Sequence, residues 1–373
     1  MFSEITSYQW ILLCIVLVPL LIQWIYYVGY FSVLFVKPKT VNHDALPCSV
    51  IVCAKNEAQN LKELIPLLCK QNHPKHEVII VNDGSWDESN QLIEEFKLTY
   101  SNLKNMYIDP EKKLSSGKKL AITLGIKAAE FEHLVFTDAD CRPASENWLS
   151  HMSQQFDEKH GIVLGYSPYR KKKGLLNWFI RVETQLTAFM YLSAAKRVKA
   201  YMSVGRNWAY TKSLFYEVKG FAEHHHIAAG DDDLLLQAMV KKTKANICIQ
   251  PDAFCYSEPE TTYTSWIDQK RRHLQIGKYY RGFAKFYTGL FVFSHFWFVF
   301  AIIGLWIALP HLWIVFLIIL GARYLINWIS LLLCSKRLND IVPAAGYPFA
   351  DLCMLLYWFG MSVYVYFTKK QVW

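Results

Sequence analysis

Nine cysteines are spread over 373 residues without one CxxC pair. That lack disfavours a zinc ribbon or finger. Six of the nine fall between Cys48 and Cys255, in a segment expected on the reducing side of a membrane, which disfavours structural disulfides. The chain also lacks a basic stretch ahead of its first apolar run. Residues 1–9 carry Glu4 and no Lys or Arg, and no small-residue cleavage site follows, so the run is expected to persist as an anchor rather than leave as a signal peptide. Basic charge is only in modest excess. The formal net charge is +9, and Lys171, Lys172 and Lys173 stand beside an apolar helical pattern, which points to anionic lipid headgroups and away from nucleic acid.

Hydrophobic residues, by contrast, make up 53% of the chain, more than one soluble core of this length needs. Residues 10–36 are apolar apart from Pro19, Gln23 and a few tyrosines, long enough for a hydrocarbon core of roughly 30 Å. A second block, 289–334, is broken at Pro310-His311 and reads as two spans joined by a tight turn; residues 349–367 read as a further one. The expected organisation is an N-terminal transmembrane anchor over 1–39, a middle domain over 40–287 and a C-terminal transmembrane region over 288–373. Lys37 and Lys39 follow the first span and Lys336 and Arg337 the third, so the positive-inside rule puts the middle domain on the cytoplasmic side of a bacterial-type inner membrane. Lys369 and Lys370 run against that rule if the last segment crosses, which leaves an interfacial or re-entrant placement open for it.

In the middle domain, short apolar runs at 49–54, 77–81, 106–108 and 134–137 alternate with helical patterns at 61–68, 90–97 and 119–129. This alternation predicts a parallel sheet with crossover helices, whose ligands bind at the carboxyl ends of the strands. One end reads Lys55-Asn56-Glu57 and the next Asn82-Asp83-Gly84-Ser85. Each sets a carboxylate where it can accept hydrogen bonds from a base or ribose, and Gly84 permits a sharp turn, though the composition also suits an ordinary turn. A further end reads Asp138-Ala139-Asp140. Two carboxylates one residue apart can jointly face a hard cation, and a cation there could bridge two phosphates.

In order and placement these motifs resemble the family-2 inverting, membrane-bound glycosyltransferases, which have the nucleotide-diphospho-sugar transferase (GT-A) fold. The resemblance runs over about 47–280. It implies a Rossmann-like mixed α/β catalytic domain with one N-terminal and about three C-terminal transmembrane helices, an NDP-sugar donor, in the first instance a UDP-sugar, and Mg²⁺ or Mn²⁺. Asn56 and Glu57 match the turn after the first strand and Asp83 the nucleoside turn. Ser116-Gly117-Lys118 resembles the step whose lysine approaches the diphosphate. Asp138 and Asp140 match the metal-binding DxD, with Asp138 also toward the donor and Asp140 the more direct ligand.

Further along, Gly230-Asp231-Asp232-Asp233 falls where the family places its catalytic base, with Asp232 the better match and Asp231 the alternative. Inversion by direct displacement needs a carboxylate to accept the acceptor hydroxyl's proton, and adjacent acids repel, which raises proton affinity. The same acids would suit a helix N-terminus before 234–240. Gln269-Lys270-Arg271-Arg272-His273 resembles Gln-x-x-Arg-Trp, which implies that Gln269 and Arg272 face the donor diphosphate. His273 stands where Trp is usual, which weakens a processive polysaccharide synthase. Without the upstream acids, this stretch would read as basic juxtamembrane sequence.

Gly205-Arg206-Asn207-Trp208 and Gly220-Phe221 match segments on the acceptor side, with Arg206 either an anion contact or a surface arginine. His224, His225 and His226 point in diverging directions and suit a loop beside the base better than a metal cluster. Residues 175–198 read as an amphipathic helix, either at the bilayer interface or packed on the sheet, and Tyr279, Tyr280, Phe283, Phe286 and Tyr287 repeat the aromatic character. The expected activity is inverting sugar transfer to a lipid or lipid-linked acceptor at the membrane. A polysaccharide synthase, a sugar nucleotidyltransferase and a non-catalytic membrane scaffold are the alternatives.

Overall fold

A computed structural model of the chain describes residues 7–36, 44–112, 117–227, 229–280, 282–340 and 346–368. Glu4, Lys37, Lys39, Ser116, Lys369 and Lys370, which carried expectations above, lie outside the described residues. The chain divides into two compact units, one within 44–276 and the other made of 7–36 with 277–368.

The unit within 44–276 is built on the strands β1 (Cys48–Ala54), β2 (His76–Asn82), β3 (Leu103–Tyr107), β4 (His133–Phe136), β5 (Cys141–Pro143), β6 (His160–Gly165), β7 (Trp208–Thr211), β8 (Lys244–Cys248) and β9 (Cys255–Ser257). Seven form one sheet in the order β3-β2-β1-β4-β7-β6-β8, and β5 pairs with β9 in a separate ribbon. Strands β1 to β4 run parallel, whereas β7 is antiparallel to both β4 and β6, so the sheet is mixed. The central strands Val50-Ile51-Val52 and Val78-Ile79-Ile80-Val81 are buried on both faces, as continuous apolar runs in a helix-covered parallel sheet must be.

Close helix packing then sets the height of the site. Helix Lys118–Ala128 contains Gly125, where a Cβ would stand 2.7 Å from Ile51 Cγ2 and 3.0 Å from Val81 Cγ2. With only hydrogen there, the helix settles onto β1 and β2, and its first residue, Lys118, comes to the strand ends.

Helix Leu175–Arg197 keeps the apolar spacing seen in the sequence, but of its two readings the buried one holds. Residues 180–194 are mostly buried, including Arg181 and Glu183, and Glu183 is paired with Lys270 of the helix Tyr263–Gly277. Phe179 packs edge-on to Trp266, with ring centroids 5.6 Å apart. A polar residue with a buried partner mimics an amphipathic pattern, which is why periodicity alone did not separate the two readings.

The second unit holds four helices long and apolar enough to cross a membrane: Ser7–Leu34, Phe283–Ala308, Pro310–Arg337 and Tyr347–Phe367. A polar chain links all four. Arg323 is 1% exposed and donates to Asp351 Oδ2 at 2.8 Å, to Asp351 Oδ1 at 3.0 Å and to Gln23 Oε1 at 2.8 Å. Gln23 Nε2 in turn donates to the Ser294 carbonyl at 3.0 Å. Charge is costly at membrane depth unless partnered, and here each charged group has a partner.

Candidate active site

The turns after β1 and β2 are stitched together. Asn56 adopts a left-handed backbone (φ 58°), donates its N–H to Ser85 Oγ at 2.9 Å and accepts the Trp86 N–H on Oδ1 at 3.0 Å. The Glu57 N–H reaches Ser89 Oγ at 3.1 Å, and the Glu57 carboxylate accepts from Asn60 at 2.6 Å. Gly84 (φ 67°) is required in its turn, since a Cβ there would meet Pro110 at 2.7 Å. Asp83 is tied to the end of β1 by its N–H on the Ala54 carbonyl at 2.8 Å.

One ammonium joins the two acidic motifs. Lys118 Nζ stands 2.5 Å from Asp138 Oδ1 and 3.9 Å from Asp231 Oδ2. Burial alone would raise the Asp138 carboxyl, but the adjacent Lys118 overrides it and holds the group below the ordinary carboxylate range. The Cys53 thiol lies on the floor of the same cleft, within the fields of Lys118, Asp138, Asp231 and Asp83, and burial pushes it up to about 12. That cleft is lined by Asp138, after β4, and by Asp231, and Asp83, after β2, is near enough to act on the same thiol. At Glu57 burial, then Asp140 and Asp138, raise the carboxyl. Asp140 accepts from Ser257 Oγ at 3.4 Å and from Cys141 Sγ at 3.3 Å.

The three consecutive acids face three ways. Asp231 turns to Lys118, while Asp233 accepts the Ser203 N–H at 3.1 Å. Asp232 caps the helix Asp233–Met239, accepting the Asp233 N–H at 2.7 Å and the Gly205 N–H at 3.0 Å. Burial, and then the charge of Asp231, raise its carboxyl to about 6 despite those donors. The helix-start reading of this motif thus holds at Asp232.

The helix Tyr263–Gly277 brings its own groups. Gln269 accepts from the Tyr169 hydroxyl at 3.3 Å. Tyr169 underlies the Arg206 guanidinium at 4.5 Å, and Arg206 donates to the Ser167 carbonyl at 3.2 Å. Arg206 is thus half-buried, with Asp138 and Asp140 near enough to act on its guanidinium, rather than a surface arginine. His273 is exposed, with Asp138 as its acidic neighbour, and the nearby cations Lys270, Arg206 and Arg272 lower its proton affinity. Arg272 is partly buried beside it on the same helix. Lys270 and Arg271 turn elsewhere, to Glu183 and to Asp268 at 3.0 Å. Their burial and pairing replace the juxtamembrane reading of this stretch.

Among the described residues no group of three His, Cys, Asp or Glu side chains is gathered as a metal cluster. Within the histidine run, His224 is buried against Phe221, and Lys119 Nζ holds the carbonyls of His224 and Ile227 at 2.7 Å each. Asp138 and Asp140 offer the donor set of a cation such as Mg²⁺, which takes one or two carboxylates and completes its shell with water and substrate phosphate. Cys53, Lys119, Tyr169 and Ser257 were not singled out in the sequence. Only Lys119 carried a signal, as the second lysine after Gly117.

The mixed seven-stranded sheet, with acids at its strand ends, has the GT-A fold. Residues 49–219 match the family model described as glycosyl transferase family 2. The chain is 26% identical over 246 residues to a probable glycosyltransferase, YdaM, of Bacillus subtilis, an alignment covering 64% of this chain and 57% of that protein. Identity is 28% over 173 residues to the poly-beta-1,6-N-acetyl-D-glucosamine synthase of Staphylococcus epidermidis, covering 43% of this chain and 40% of that one. The chain thus spans about half the length of these curated relatives. A mannosyltransferase from Pyrobaculum calidifontis, solved in complex with GDP-Man and Mn²⁺, shares the fold over 96% of both chains, with a TM-score of 0.56 and 19% identity.

Proposed function

We propose that the chain transfers a sugar, with inversion, from a nucleotide-diphosphate sugar to a lipid or lipid-linked acceptor at the cytoplasmic face of a bacterial-type inner membrane. Residues 40–287 would be the catalytic domain, anchored on both sides. The observation that carries the reading is the Lys118 ammonium set between Asp138 and Asp231, with Asp232 next in the chain. It supports a diphosphate position beside a proton acceptor.

In a single displacement the acceptor oxygen attacks the anomeric carbon and gives its proton to Asp232, while the bond from that carbon to the diphosphate oxygen breaks on the opposite face. The backbone N–H groups of Gly205 and Asp233 orient the Asp232 carboxylate. Asp83, with Asn56 and Glu57, would bind the nucleoside; Lys118, Arg272 and Gln269 would receive the departing diphosphate. Mg²⁺ or Mn²⁺ held by Asp138 and Asp140 would supply positive charge to that diphosphate. Asp231 is the alternative base.

The test is NDP release by the purified full-length protein over UDP- and GDP-sugars with Mg²⁺ or Mn²⁺, followed by mass spectrometry of lipid extracts and of product length. The reading expects single-sugar lipid products and loss of release in Asp138→Ala. Polymer would establish a polysaccharide synthase, pyrophosphate release a nucleotidyltransferase, and no release from any donor a scaffold.

A further inference from the structure

The turn after β2 displays one of the most exposed large side chains of the described residues. Trp86 is 82% exposed, yet the backbone that carries it is tied down. Its N–H is held by Asn56 Oδ1 at 3.0 Å. On one side of it Ser85 donates its N–H to Asn82 Oδ1 at 3.0 Å; on the other Asp87 accepts the N–H groups of Ala58 and Ser89, both at 3.0 Å. A single exposed apolar residue is ordinary on a protein surface, so position has to decide what this one does.

That position lies along the row of strand ends. β4, β1 and β2 are successive neighbours in the sheet, and strands lie about 4.8 Å apart. The turn bearing Trp86 is therefore roughly two strand spacings, or about 10 Å, from the DxD after β4. An NDP-sugar whose diphosphate sits at Lys118 and Asp138 must extend its ribose and base somewhere. Asp83, three residues before Trp86, is already within the common field around Cys53. Along that line the nucleoside arrives at a rigid turn with an indole on display.

We propose that Trp86 is the stacking surface for the nucleobase of the donor, a role that rests on the NDP-sugar reading above. Every base has a flat π face, so stacking on indole adds affinity with little choice of base. Base identity would then be left to hydrogen-bonding groups such as Asp83.

Isothermal titration of the full-length protein in detergent, with UDP, GDP and inorganic pyrophosphate in the presence of Mn²⁺, tests this. Trp86→Ala is expected to weaken UDP and GDP binding about tenfold and to leave pyrophosphate binding unchanged, while Trp86→Phe stays near wild type. Turnover at saturating donor should hold while the KM for donor rises. UDP and GDP affinities in Trp86→Ala that match those of wild type overturn the assignment, as does an effect confined to the acceptor KM. So does an equal loss of pyrophosphate binding, which would show a displaced turn. A wild-type protein that binds neither nucleotide removes the NDP-sugar reading itself, and the assignment with it.

Discussion

At Asp232 two donors favour the charged carboxylate, while burial and Asp231 oppose it and prevail, with the proton held up to about 6. An acid whose folded pKa is raised binds its proton more tightly than the unfolded chain does. Its contribution to stability therefore improves as pH falls toward its unfolded value and worsens as pH rises through about 6. Catalysis has the opposite sign, because the base must be free of its proton. kcat/KM for NDP release is expected to fall about tenfold per pH unit below about 6 and to level off above it. Asp232→Asn should cost about 10² to 10⁴-fold in turnover yet keep a Tm at pH 8 no lower than wild type, since a charge beside Asp231 has been removed. A clear drop in Tm would assign Asp232 to structure instead.

Two helices position the charged groups, and each depends on one packing device. The helix Lys118–Ala128 reaches the strand ends because Gly125 presents no Cβ to Ile51. Gly125→Ala is expected to destabilise the domain by about 1–3 kcal/mol through overpacking, read as a lower urea midpoint, and to raise the donor KM as Lys118 is displaced. The helix Tyr263–Gly277 is held by Lys270 against Glu183, both nearly buried. Removing one partner leaves an uncompensated charge, so Lys270→Ala should cost about 3–5 kcal/mol. The double replacement Lys270→Met with Glu183→Leu should recover most of that loss in the same urea titration.

For the molecule as a whole, a charged pair joins two of the four long apolar helices. Arg323 and Asp351 come from different helices, and Gln23 adds the N-terminal one. Asp351→Ala alone should lower the Tm of the detergent-solubilised protein, because buried Arg323 loses both of its carboxylate contacts, at a cost of about 3–5 kcal/mol. Exchanging the two, Arg323→Asp with Asp351→Arg, should restore part of the loss. Equal Tm for the single and exchanged variants would mean that the pair does not join these helices.

Continuous apolar runs determined β1 and β2 from the sequence alone, because a strand buried on both faces tolerates little else. The acids that follow them were legible for a related reason: a strand end is where a short polar segment meets a ligand. Hydropathy and length likewise determined four apolar helices. Only the tertiary structure decided which charges meet. Lys118 faces Asp231 across more than a hundred residues, Glu183 buries Lys270, and Arg206 turns inward onto Tyr169 toward the DxD. A side chain's hydropathy is a local property that a chain carries unfolded, whereas pairing energy falls off with distance and exists only after packing has brought the partners together.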